Sequence, residues 1–180
     1  IRNIKKMANN QILERLINFN IYKDGIRGVM GVADIELPSL EAMTDTLSGA
    51  GIAGEIDTPT IGNFGSMTLT INFRTATADA LLLASMRQAH NLTARGAIQV
   101  QDAVTGETKV APLVVSMRVK TKVFNPGSLE LGAAMETSFE GEVLSIRIRL
   151  NGIEYIELDK MNYVYKVGGV DETKAVRDAI

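Results

Sequence analysis

No cysteine stands anywhere in the 180 residues, and tryptophan is absent as well. The first absence excludes disulfides, thiolate metal sites and cysteine nucleophiles together, and it is compatible with folding in a reducing compartment. There is a single histidine, His90, so a histidine metal cluster has no parts and a Ser-His-acid triad has no identified nucleophile. Four prolines and no low-complexity tract leave no linker between domains. No apolar run approaches the ~18 residues that span a bilayer. A net charge of −2 supplies no general pull toward nucleic acid. The length suits one domain with a full core, since single domains commonly run ~100–200 residues. Met7 is read as the natural first residue, with residues 1–6 an upstream extension and residues 7–180 a single domain.

What is abundant is period-two alternation, which sends apolar side chains to one face of a sheet and polar ones to the other. Over residues 67–74 the apolar set is Met67, Leu69, Ile71 and Phe73, and the opposing set is Thr68, Thr70, Asn72 and Arg74. Over residues 113–123, Leu113, Val115, Met117, Val119 and Val123 oppose Ser116, Arg118, Lys120 and Lys122. Over residues 143–150, Leu144, Ile146, Ile148 and Leu150 oppose Ser145, Arg147 and Arg149. These predict half-buried antiparallel strands. Shorter strands are predicted at 18–23, 29–37, 97–101, 155–158 and 163–167, with hairpin signals at Asp24-Gly25 and Asn151-Gly152. Leu82, Met86 and Ala89, preceded by Thr77 as a cap, predict an amphipathic helix over 78–90. A second short helix is predicted within residues 171–179, capped by Asp171. The fold class expected is mainly β: an antiparallel sandwich or barrel with one flanking α-helix.

Residues 38–65 form a connection too long for a hairpin loop of the usual 2–5 residues. Its sequence GAGIAG, residues 49–54, matches the Gly-x-Gly-x-x-Gly of dinucleotide sites. That pattern works only where a helix opens on the third glycine, and Pro59, Gly62 and Gly65 follow here among β-branched residues. The segment is instead read as a projecting arm, with Leu40, Met43, Leu47, Ile52 and Ile56 as its apolar content. Apolar side chains on such an arm imply a partner surface. No catalytic, metal or cofactor site is proposed: His90 reads as structural, and Asp102 to Glu107, DAVTGE, reads as a hairpin turn rather than a calcium loop. The basic stripe Arg118, Lys120, Lys122, Arg147 and Arg149 reads as a solvated sheet face, because it carries no aromatic stacking residues.

The stretches NFNIYKDG (18–25), IELPSL (35–40), GAGIAG (49–54), NPG (125–127), NG (151–152), YIELD (155–159) and GGVD (168–171) follow one another along the chain. In that order and spacing the chain resembles the major tail tube protein of contractile-tailed phages and of R-type tail-like bacteriocins. The resemblance implies hexameric rings whose sheets join into one continuous β-barrel, stacked into a hollow tube. It implies that 38–65 is an inter-subunit β-hairpin arm making contact through Leu47, Gly49, Gly51, Ile52, Gly54 and Ile56, and that Thr68, Thr70, Asn72, Ser116, Arg118, Lys120, Ser145 and Arg147 face the lumen. The family leads one to expect a lumen without net positive charge, so Asp34, Glu36, Glu140 and Glu142 are expected to compensate the basic residues. The partners implied are other copies of the chain, tail sheath, tape measure, baseplate initiator and tail terminator proteins. DNA would pass without stable binding, no subunit would insert into a membrane, and assembly in the host cytoplasm would end in the virion. The alternatives are the tube of a DNA-free bacteriocin-like or secretion particle, and a monomeric β-barrel binding a polyanion.

Overall fold

The computed structural model describes residues 11–24, 31–49 and 53–180. The Met7 start, the 1–6 extension, Gly25, Gly51 and Ile52 lie outside the described residues. Among the described residues, eleven strands and two short helices follow in the order β1 (Gln11–Lys23), β2 (Val32–Glu36), β3 (Ala42–Leu47), β4 (Ile56–Phe64), β5 (Thr68–Phe73), α1 (Ala78–Leu82), β6 (His90–Asp102), β7 (Thr108–Asn125), β8 (Thr137–Leu150), β9 (Ile153–Asp159), β10 (Val164–Val167), β11 (Val170–Asp171) and α2 (Lys174–Ala179). The mainly β, antiparallel expectation holds.

All strands except β3 and β4 belong to one sheet, ordered β1-β6-β7-β8-β9-β10-β11, and β8 is where it divides. The first half of β8 pairs with β5, Thr68 opposite Glu142, and its second half pairs with β9, Ser145 opposite Asp159. β2 then pairs with β5. The sheet therefore rolls: Ile35 of β2 and Leu37 just after it line an apolar groove with Leu16 and Phe19 of β1, and the two strands do not pair.

Alternation locates the core as expected for β5, where Met67, Leu69, Ile71 and Phe73 are all buried. Phe139, Val143 and Ile146 of β8, Val115, Met117 and Val119 of β7, Leu92 and Ala94 of β6, Ile21 of β1 and Leu158 of β9 join it, with Ala80 and Leu83 packing in from α1 and its C-terminal end. Each such side chain contributes roughly 1.5–3 kcal/mol on leaving water. Two β-bulges alter the expected faces. Where Arg118 opposes Ser145 and Val119 opposes Val143, Leu144 is the extra residue, so Val143 enters the core in its place. A second irregularity between Thr121 and Val123 leaves Val123 exposed and turns Phe124 to the core. A bulge puts two residues against one, and so reverses the facing of everything beyond it.

The helix expected over 78–90 contracts to α1. Its buried residues are Ala80 and Leu83, whereas Leu82 and Met86 are exposed, and His90 begins β6 rather than ending a helix. Thr77 does cap it, its hydroxyl accepting from the Ala80 N–H at 3.2 Å. Asn151-Gly152 makes the expected two-residue turn, both with left-handed φ, of 51° and 79°. Asp24 also turns left-handed, but β1 and β2 do not pair; β1 runs beside β6, so that position is not a tight hairpin. α2 starts later than expected, at Lys174.

Candidate functional site

Two surfaces carry the residues singled out from the sequence. The first is the arm. β3 and β4 form a separate two-stranded sheet with Leu47 opposite Ile56, and every residue of β3 is exposed. Leu47 and Ile56 keep 50% and 54% of their surface, so this apolar pair is not covered by its own subunit. Across the hairpin, the Thr46 hydroxyl donates to Asp57 at 2.7 Å. Around Gly49 and Gly54 there is open space where a Cβ would stand. Among the described residues no close approach explains these glycines, although Gly54 has a φ of 133° that side chains rarely adopt.

The arm is held at its foot. The Gly65 carbonyl accepts from Lys160 Nζ at 2.6 Å, and Lys160 reaches Glu142 at 2.9 Å. Glu142 also accepts from the Ser66 hydroxyl and the Met67 N–H. Burial alone pushes the Glu142 carboxyl up, but the bonds from Ser66, Lys160 and Met67 outweigh it and leave it below its ordinary range.

The second surface is the polar face of the large sheet. Register places Tyr22, Thr93, Ser116, Arg147, Glu157 and Lys166 opposite one another on successive strands. The next row holds Asn91, Arg118, Ser145 and Asp159. Lys120 and Thr68 both oppose Glu142, while Thr70 opposes Glu140 and Asn72 opposes Asp34. Ser116, Arg118, Ser145 and Arg147 line a shallow cleft of about 200 Å³ together with Glu157 and Asp159, whereas Thr68, Thr70, Asn72 and Lys120 lie along the β5–β8 part of the sheet outside it.

Charge on this face is largely paired. Arg147 bonds Glu157 and lies 3.1 Å from Glu154, Arg149 lies 3.4 Å from Glu154, and Lys166 lies 2.8 Å from Glu157. Lys166 and Arg147 together hold the Glu157 carboxyl below its ordinary value, and Glu157 in turn raises both bases. Of the compensating carboxylates expected, Glu142 lies 4.0 Å from Lys122 and Asp34 accepts from the Asn72 amide. Glu154 and Glu157 were missed. The Asn151-Gly152 turn could have revealed them, because a two-residue hairpin sets Leu150 against Ile153 and so Arg149 against Glu154. Among the described residues, Arg118 and Lys120 make no ion pair.

Elsewhere the chemistry is structural. His90 is buried, and its Nε2 lies 3.0 Å from the Ser85 carbonyl. Asp102 accepts from the Val104 and Thr105 N–H groups in a turn closed by Gly106, as DAVTGE predicted. Among the described residues no three metal-binding side chains converge, and no helix is long and apolar enough to cross a membrane.

The class that the fold and these surfaces define is a β-structural subunit with a projecting hairpin. The family model described as phage tail tube protein FII matches residues 13–180, and the chain belongs to that family. It is a structural component of the phage tail, built to self-assemble into a tube. No curated protein matches the chain.

Proposed function

We propose that the chain is the inner-tube subunit of a contractile tail. Copies close into hexameric rings, rings stack, and the hollow product is both conduit for DNA and piston when the sheath contracts. The observation that carries this is the arm: a hairpin, in a tube-family chain, whose apolar pair Leu47 and Ile56 is left uncovered by its own body. A partner surface on a second copy gives those side chains burial the monomer does not. The polar face carrying Thr68, Thr70, Asn72, Ser116, Arg118, Lys120, Ser145 and Arg147 lines the lumen in this reading. Its ion pairs support a DNA conduit, because neutralised bases release few counterions and grip phosphate weakly. Sheath, tape measure, baseplate initiator and terminator proteins are the further partners, with assembly in the host cytoplasm.

Negative-stain electron microscopy of the purified protein over a concentration series tests the reading. Rings or hollow filaments are expected, with or without an added initiator; small monodisperse particles under every condition would sink it.

A further inference from the structure

We infer that Gly62, Tyr163 and Thr173 form a joint that fixes the direction in which the arm leaves the body, and that α2 braces it. The inference rests on the tube reading for what the arm does, but not for how it is held.

A projecting hairpin pinned at one place pivots, whereas one pinned at two successive places along a strand points in a set direction. The foot at Gly65, held by Lys160, is the first place. Three residues further out on β4, Gly62 is the second. It has a φ of 77°, and a Cβ there would lie 2.5 Å from the Thr173 methyl and 3.0 Å from the Tyr163 ring. No other residue fits both the backbone conformation and the space. Next to it the Tyr163 hydroxyl donates to the Ile61 carbonyl at 2.7 Å, and Phe64 meets Tyr165 edge-on with ring centroids 4.8 Å apart.

The body side of this contact is itself held in an uncommon conformation. Tyr163 has a left-handed φ of 52°, which side chains of its size rarely adopt unless the surroundings impose it. Arg177 of α2 imposes it, donating to the Tyr163 carbonyl at 2.8 Å and to the Thr173 hydroxyl at 2.8 Å while pairing with Asp171. Thr173 is buried, and its hydroxyl also accepts from the Tyr165 N–H at 3.0 Å. A continuous path of contacts therefore runs from the C-terminal helix through Thr173 and Tyr163 into the arm. Holding the arm before association removes part of the ordering cost that a loose hairpin carries into an interface.

The absence of native cysteine makes a direct test available. Spin labels at Asp45→Cys on the arm and Val110→Cys on the body, both exposed, report arm direction as a distance distribution in the unassembled subunit. A narrow peak is expected in the parent, and Gly62→Ala is expected to shift or widen it, about two-fold in width, with the thermal midpoint of the body little changed. Thr173→Ser removes the opposing methyl but keeps the hydroxyl, so adding it to Gly62→Ala is expected to recover part of the peak. Tyr163→Phe removes one donor and no bulk, which keeps the test open if Gly62→Ala misfolds. An unchanged distribution in both Gly62→Ala and Tyr163→Phe overturns the joint, whatever the filaments do. A displaced arm on subunits that still form tubes leaves the joint standing and overturns its link to assembly.

Discussion

Lys160 and Glu142 meet 2.9 Å apart at the foot of the arm, and between them they tie β5, β8 and the β9–β10 turn to the Gly65 carbonyl. The pair gives the fold a defined response to acid. The Glu142 and Glu157 carboxyls are both held below their ordinary value of 4.5. A carboxylate with a depressed folded value contributes stability that is present above the unfolded value and lost as pH falls through the folded one. The urea midpoint is therefore expected to be level near neutrality and to fall progressively below pH 4.5. Glu142→Gln is expected to cost about 1–2 kcal/mol near neutrality and to flatten that acid limb. An acid limb as steep as the wild type's would refute the assignment.

Phe139 and Leu131 stand at opposite extremes of burial. Phe139 is wholly buried where β5, β7 and β8 meet, so Phe139→Ala should cost about 3–5 kcal/mol through lost transfer energy and a residual cavity. Leu131, in the β7–β8 connection, is fully exposed, and Leu131→Ala should stay within about 0.5 kcal/mol. Urea unfolding of the two variants checks both, and equal losses would contradict the placement of the core.

Legibility in the sequence followed how completely one face of an element is buried. For β5, flanked by β2 and β8, every second residue is buried, and the alternation from Met67 to Phe73 locates the strand within a residue of its ends. In β1 the apolar residues come in pairs, Ile12-Leu13 and Leu16-Ile17, all four exposed, and bulges fall between Leu13 and Arg15 and between Leu16 and Asn18. Paired residues do not read as alternation, so only the last part of that strand was foreseen. The stripe Leu82, Met86 and Ala89 satisfied helical spacing, yet α1 ends after one turn and buries Ala80 and Leu83 instead. Periodicity measures spacing and cannot report which side a neighbour covers. The arm was legible from its length and apolar content, whereas its joint was not. Gly62 lies far in the chain from Tyr163 and Thr173, and nothing local marks a glycine for a contact made by residues about a hundred positions later.

Gly141 offers a steric test independent of backbone conformation. A Cβ there would lie 2.3 Å from Val119 Cγ1 and 2.8 Å from the Phe139 ring. Gly141→Ala should cost about 1–3 kcal/mol or more through overpacking. Gly49→Ala, with open space around it, should leave the subunit within about 0.5 kcal/mol of the parent. Thermal melts of the two variants decide it, and a neutral Gly141→Ala would show that β7 and β8 pack less closely than described.

Glu157 decides the charge of the polar face, since it pairs with both Arg147 and Lys166. Glu157→Gln leaves Lys166 without its carboxylate partner and Arg147 with Glu154 alone. On short duplex DNA the wild type should bind weakly, and the variant should gain affinity with a salt slope steeper by roughly one to two phosphate contacts. Unchanged affinity and slope would mean that this face does not meet DNA in the unassembled subunit.

Leu47 and Ile56 stand opposite each other on the arm, half exposed, and contribute little to the body that carries them. Substituting both with aspartate places two like charges on one exposed cross-strand pair, a local cost of a few tenths of a kcal/mol up to about 1. The melting of the body should hardly move, because the core is formed by other strands. An interface is different: a desolvated carboxylate without a partner costs several kcal/mol per copy, and every copy in a ring or stack carries the same pair. The double variant is therefore expected to remain a folded monomer at concentrations where the wild type sediments as filaments, as is a chain lacking residues 47–56. Neutral Leu47→Ala should assemble more weakly than wild type but better than the charged pair. Filaments of normal length from the aspartate variant would place these two side chains outside the contact and return the arm's apolar surface to unexplained.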